Sequence, residues 1–142
     1  MPHVFVDTAH HIAILNRDDP LHESATRVAA ELSERRAIQF VTTTIVLAEL
    51  LAAASRSRRL RALAASYVAA LQSEPRVSVV DLTRDLFDRG LALYGARPDK
   101  RYSLTDCVSM IVCRDLAITD VLTTDRDFEH EGLARLLTPV ND

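Results

Sequence analysis

SLTDCVSMIVCRDLAITDVLTTDRDF, residues 103–128, is the stretch whose reading decides the fold. It opens on Ser103 with an acid three residues later, runs through an almost wholly apolar segment, and ends in a short apolar run closed by Thr123, Thr124 and Asp125. Ser with a carboxylate three positions on fits a capped helix start, although Glu or Gln is the usual partner at that spacing. Leu104, Cys107, Val108, Met110, Ile111, Val112 and Cys113 surround that helix, which therefore reads as central and buried with Asp106 at its head. The first turn of a helix favours a negative charge, so Asp106 is suited to stay ionised. Val121 to Thr123 reads as a strand, and Asp125 stands directly after it. Taken alone, Asp125 and its near duplicate Asp127 are turn residues.

Upstream, the same alternation repeats. His3 to Val6 is strand-like and ends at Asp7-Thr8, and Ala9 to Asn16 turns helical. After Asp18-Asp19-Pro20, Leu21 to Arg36 places Ala25, Val28, Ala29 and Leu32 on one face of an amphipathic helix. Ile38 to Val41 predicts a strand, and Thr42-Thr43-Thr44 supplies caps for a helix from Ile45 to Ser55. A further helix spans Arg58 to Gln72, Val77 to Val80 is a strand, and Leu82 to Tyr94 is a helix closing near Gly95. A weak strand is expected near Leu136 to Leu137. Strands alternating with helices predict one α/β domain over residues 1–142, with a mostly parallel sheet between two helical layers. In such sheets ligands bind at the carboxyl ends of the strands, where Asp7 and Asp125 fall.

Composition narrows the class of protein. At 142 residues, 48% hydrophobic and 26% charged, the chain can build one sizeable core. Its start carries Asp7 early and lacks a basic segment before the apolar residues, unlike a signal peptide, and no apolar run reaches the ~18 residues of a membrane helix. A cytoplasmic protein is expected. Cys107 and Cys113 lie about 9 Å apart along one helix, too far for a disulfide, and read as reduced core thiols. The net charge of −3 comes from 17 basic and 20 acidic residues. Setting four acids aside for a metal site leaves a surface near neutrality, so overall charge excludes no polyanionic partner. With glycines only at 90, 95 and 132, neither a Walker loop nor a Rossmann glycine pattern exists, and no serine or cysteine nucleophile has a matched histidine.

The acids carry the chemistry. Asp7 alone reads as the N-cap of the helix that follows it. Glu49 is the one charged residue between Ile45 and Ala54, and an ionised carboxylate on a helix apolar on every side is costly unless paired or metal-bound. The competing reading is a narrow solvent-facing stripe beside Ala52 and Ala53. Two acids at strand ends and two on apolar helices form a constellation that separate accidents explain poorly. Converging carboxylates repel unless a cation lies between them, and oxygen-only ligands suit Mg²⁺ or Mn²⁺. Such an ion activates water and stabilises charge on a phosphoryl oxygen, making phosphodiester hydrolysis the leading reaction.

These residues carry a resemblance. FVDT at the start, the lone acid in TTTIVLAELL, SLTDCVSM, and TTDRDF followed by Glu131-Gly132-Leu133 resemble a PIN-domain ribonuclease, and in size a VapC-type toxin of a toxin–antitoxin pair. The resemblance runs from Val4 to Leu133. It implies a three-layer α/β/α PIN-like fold and an acidic site of Asp7, Glu49, Asp106 and Asp125 holding Mg²⁺ or Mn²⁺ and the attacking water. It implies supporting roles for Thr8, Ser103 and Thr123, and an antitoxin that places a peptide in the acidic cleft. The chain departs from the family in having Asp127 where His is common, and Ala9-His10-His11 where a small residue and often an aromatic stand. Whether Asp125 or Asp127 is the fourth ligand is left open.

Arg56, Arg58, Arg59 and Arg61, and Lys100 with Arg101, flank the helices carrying Glu49 and Asp106 and could meet RNA phosphates or be solvated loop residues. The Ala- and Leu-rich runs from Ile45 to Ala54 and Ala62 to Leu71 suit a homodimer interface or ordinary core. The competing function is a PIN-fold RNA-binding or RNA-processing module with little turnover, outside any toxin–antitoxin pair.

Overall fold

A computed structural model describes residues 2–137 of the chain. Its strands are β1 (His3–Val6), β2 (Gln39–Thr43), β3 (Val77–Val80), β4 (Asp120–Leu122) and β5 (Ala134–Arg135). Its helices are α1 (Thr8–Leu15), α2 (His22–Glu34), α3 (Thr44–Ala54), α4 (Arg58–Ser73), α5 (Arg84–Ala96), α6 (Leu104–Asp115) and α7 (Asp127–His130). The strands form one sheet in the order β3-β2-β1-β4-β5, and all four pairings are parallel. Predicted and observed elements agree within about two residues for β1 to β4 and α1 to α6. The last strand is displaced: it lies at Ala134–Arg135, whereas Leu137 is buried beyond it against the core. The short helix α7 was not expected, because a four-residue turn has too few positions to show a periodicity.

Period-two alternation builds the two cores. Phe5, Val41 and Val121 point to one face, where Leu86 and Leu93 of α5 and Val108, Ile111 and Val112 of α6 meet them. Val4, Val6, Phe40 and Leu122 point to the other, against Ala13 of α1 and Ala25, Val28 and Leu32 of α2. Helices thus cover both sheet faces, the arrangement that buries parallel strands completely. Helix α6 is the most deeply placed, with eight buried residues including Cys107 and Cys113, which are both free. Burial pushes the Cys107 thiol up to about 11 and the Cys113 thiol up to about 12, so both stay protonated at neutral pH.

Local chemistry sets the helix ends. Ser57 and Thr83 cap α4 and α5 by accepting from the Leu60 and Leu86 N–H groups. Of the three consecutive threonines only Thr43 caps α3, accepting from Val46 N–H at 3.1 Å. Thr44 accepts from Leu82 N–H, and Thr42 donates to the Val6 carbonyl. Since Thr42 spends its proton on Val6, its oxygen accepts from His11 Nε2, leaving His11 Nδ1 to accept from Tyr67 O–H at 2.7 Å. Burial lowers the His11 pKa to about 3, consistent with this neutral tautomer. The α5–α6 contact depends on Gly90, where an added Cβ would lie 2.7 Å from Val108 Cγ2.

The topology positions the site. The chain runs outward from β1 through β2 to β3, then returns to the other side of β1 with β4 and β5. The boundary between β1 and β4 is therefore the switch point of the sheet, and a crevice opens at its carboxyl end. Asp7 directly follows β1, and Thr123 to Asp125 follow β4.

Candidate metal centre

Asp7, the first of the candidate acids in chain order, occupies the N-cap position of α1 but makes no side-chain cap bond. Its Oδ2 instead accepts from Thr123 Oγ1 at 2.8 Å across the β1–β4 boundary. Only 5% exposed, Asp7 has its pKa raised from 3.8 to about 7, chiefly by burial and further by the charges of Asp106 and Glu49. Hydrogen bonds from Thr123 and the Thr8 backbone oppose this rise. Thr123 is fully buried and also accepts from Asp125 N–H at 3.0 Å, so one hydroxyl orients both strand-end acids.

Asp106 sits in a complete capping box. Ser103 Oγ accepts from Asp106 N–H and Asp106 Oδ2 accepts from Ser103 N–H, each at 3.0 Å. The helix around it is buried as expected, while the Asp106 side chain is half-buried and faces the crevice. Its pKa is raised by burial, with Asp125 and Glu49 adding like-charge repulsion. Asp125 Oδ1 accepts from Asp127 N–H at 2.9 Å, closing the turn into α7. Turn formation and clustering are therefore compatible. One carboxylate oxygen from each of Asp106, Asp125 and Asp127 lies within 4.8 Å of the others. Asp125 and Asp127 each bring a carboxylate oxygen to Asp106.

Glu49 differs from its expected setting. It is exposed, flanked by exposed Ala48, Leu51, Ala52 and Ala53, so α3 has a solvent-facing stripe and burial imposes no large cost on this acid. Leu47 and Leu50 hold the opposite side of the helix in the core. Glu49 lies outside the cluster of Asp106, Asp125 and Asp127 but within electrostatic reach of Asp7 and Asp106, raising the pKa of each after the larger contribution of burial.

The donor set fits a hard divalent cation. It consists of carboxylates at mutual distances that repulsion would otherwise oppose, and the Thr8 hydroxyl, next to Asp7 in the chain, is buried without a hydrogen-bond partner among the described residues.

The predicted basic residues separate into two groups. Lys100 lies close enough to Asp127 to lower its pKa, against burial and Asp125, which raise it, and it pairs with Asp99 at 3.6 Å. Arg101 is exposed beside it. Arg56, Arg58, Arg59 and Arg61 are exposed around the α3–α4 junction, with Arg59 4.0 Å from Asp18.

A polar clamp beside the site escaped the sequence reading. Tyr102 O–H donates to Glu131 Oε2 at 3.0 Å, and Arg97 donates to both Glu131 oxygens at 3.2 Å. Burial works against the Glu131 charge, but these bonds leave its pKa below the usual value. The clamp joins the loop before Asp106 to the end of α7, after Asp127. No spacing rule links residues 97, 102 and 131; the signals available were adjacency of Tyr102 to the cap Ser103 and the place of Glu131 in the run that carries the family resemblance.

Comparisons with known proteins agree with this architecture. The PIN-domain family profile matches residues 4–132. No curated protein matches the chain. Among solved structures, VapC20 of Mycobacterium tuberculosis, described as a sarcin–ricin-loop-cleaving toxin, is similar at a TM-score of 0.83 and 26% identity, covering 94% of this chain and 98% of that one. VapBC2 of Rickettsia felis, solved bound to a DNA fragment from its promoter, shares the fold at a TM-score of 0.68 and 15% identity, covering 94% and 96%. The match over residues 4–132, with the all-parallel sheet between two helical layers that accompanies it, establishes that the chain belongs to the PIN-domain family.

Proposed function

We propose that the chain is a metal-dependent endoribonuclease, the toxin of a toxin–antitoxin pair, that hydrolyses RNA phosphodiester bonds in the cytoplasm. The observation that carries this reading is the convergence of Asp106, Asp125 and Asp127 at the switch point of a PIN-domain sheet, within electrostatic reach of Asp7 and Glu49. Asp7, Asp106 and Asp125 would hold Mg²⁺ or Mn²⁺, with Glu49 at the rim and Asp127 as a further donor. The bound ion lowers the pKa of a water molecule and stabilises charge on the phosphoryl oxygens. Thr123 holds the Asp7 carboxylate and the Asp125 backbone through its two hydrogen bonds, and the Ser103 backbone N–H holds the Asp106 carboxylate. Lys100 and Arg101, at the Asp127 side of the crevice, are positioned to receive a backbone phosphate. The arginines at the α3–α4 junction would serve a longer RNA.

The antitoxin partner is supported by the likeness to VapC-type structures, one of them a toxin–antitoxin complex. Leu51 on α3 and Leu63 on α4, each 40% exposed, mark the apolar surface through which two copies would associate, and light scattering tests that assembly. The sarcin–ricin loop, cleaved by the similar VapC20, is the first RNA to assay. Purified wild-type protein should cleave with Mg²⁺ or Mn²⁺ and not in EDTA, and Asp106→Asn should lower the rate at least ~100-fold while remaining folded by circular dichroism. Undiminished cleavage by the folded variant would remove the mechanism.

A further inference from the structure

We infer, resting on the metal-centre reading above, that Tyr102, Arg97 and Glu131 are positioning residues: their clamp holds the head of α6 against α7, so that Asp106 and Asp127 stay close enough to share one divalent cation. The cluster is assembled from two separate segments. Asp106 comes from the first turn of α6, whereas Asp125 and Asp127 come from the turn between β4 and α7. Their oxygens lie within 4.8 Å of one another, and like charges at that distance push the two segments apart until a cation binds. The bonds that orient the individual acids do not oppose this. Ser103 N–H to Asp106 lies within the head of α6, and Thr123 with Asp125 lies within the turn after β4.

The clamp crosses the gap. Helix α7 is a single turn that begins at Asp127 and is closed by Glu131, whose N–H bonds to the Phe128 carbonyl. Fully buried Phe128 anchors the middle of this turn in the core, and Glu131 tethers its end. Tyr102 O–H donates to Glu131 at 3.0 Å, and Arg97 donates to both of its oxygens at 3.2 Å. The Glu131 side chain is 8% exposed and Tyr102 5%, so these are charge-assisted bonds largely removed from water. Tyr102 directly precedes Ser103, the cap that holds Asp106. Asp106 is thereby linked through Ser103, Tyr102 and Glu131 to the turn that presents Asp127. Outer partners that orient metal ligands typically carry about 10–100-fold in metal affinity.

Calorimetric titration of the full chain with Mn²⁺, without RNA, reads this role apart from catalysis. Wild type should bind saturably. Tyr102→Phe keeps the ring and changes no charge, and should weaken binding at least about threefold. Arg97→Met separates positioning from bare electrostatics, because loss of a positive charge alone would tighten cation binding, whereas loss of the clamp should weaken it at least about threefold. Arg76→Met is the control for a general loss of stability. It removes bonds to the Ser33, Arg35 and Ile38 carbonyls at the amino end of β3, the opposite end of the sheet, and should leave Mn²⁺ affinity unchanged. Circular dichroism confirms that each variant is folded. If wild type binds Mn²⁺ but folded Tyr102→Phe binds it equally well, or Arg97→Met binds it more tightly, the positioning role is overturned and the metal centre stands. Absence of saturable binding by wild type overturns the metal centre and the positioning role together.

Discussion

Replacing Asp7 by Asn should stabilise the metal-free protein, and by more as the pH rises. The Asp7 pKa stands at about 7 in the fold against 3.8 for an unperturbed carboxyl, with burial as the first cause. Because the folded pKa is the higher one, the folded chain holds the extra proton between these values, and stability falls as pH rises through that window. At about 1.4 kcal/mol per pKa unit, the full loss is about 4 kcal/mol, reached above pH 7. Burial lowers the His10 pKa to about 4 and that of His11 to about 3, so these residues favour the fold as pH rises toward 6.5 and oppose the Asp7 trend in the wild type. The difference between wild type and Asp7→Asn cancels them. Asn keeps an acceptor for Thr123. Urea unfolding in EDTA should therefore give a variant that gains on wild type by about 1–4 kcal/mol between pH 4.5 and 8. Saturating Mn²⁺ should reverse the order at pH 8, because the carboxylate then has a counterion and the amide does not. A stability difference independent of pH, or one that shrinks on going to pH 8, would refute the assignment of Asp7 as a carboxylate held at energetic cost for a cation.

Three other substitutions probe separate parts of the structure. Thr123→Val removes the bonds to Asp7 and Asp125 together; urea unfolding should show a loss of about 1–3 kcal/mol, and RNA cleavage should fall at least ~10-fold with RNA affinity unchanged. Ala117 closes α6 at φ 54, with Ile118 N–H bonded to the Cys113 carbonyl and Ala117 N–H to that of Arg114. Glycine is favoured at that left-handed position, so Ala117→Gly should gain about 1 kcal/mol and raise the calorimetric midpoint by about 3 °C. Gly90→Ala brings a methyl group to 2.7 Å from Val108 Cγ2, and overpacking of the α5–α6 contact should cost about 1–3 kcal/mol in urea, exceeding the ~1 kcal/mol gain in helix propensity.

Much of the fold was legible because its signals are local. The alternation in Val4-Phe5-Val6, the punctuation at Pro20 and Pro75, and the caps Thr43 and Ser103 each depend on neighbours in the chain, and they bring the predicted bounds of β1 to β4 and α1 to α6 close to the observed ones. The acids were legible as exceptions, being charges where the pattern is apolar. Their settings were open at the level of sequence. Glu49 could be read as buried or on a solvent-facing stripe, because Ala and Leu fill a helix on all sides whether it faces core or water, and only the placement of α3 showed the stripe turned outward. Asp7 taken alone could be a cap, because the local sequence cannot show that Thr123, 116 positions away, donates to its carboxylate.

What the sequence determined by itself was the succession of strands and helices and the acids at their ends, since hydrophobic period and capping chemistry act over a few residues. Tertiary structure decided which of those ends meet. The order β3-β2-β1-β4-β5 sets Asp7 beside Thr123 and brings Asp125 and Asp127 to Asp106. Those proximities arise from strand pairing and burial between residues far apart in the chain, and no local pattern encodes them.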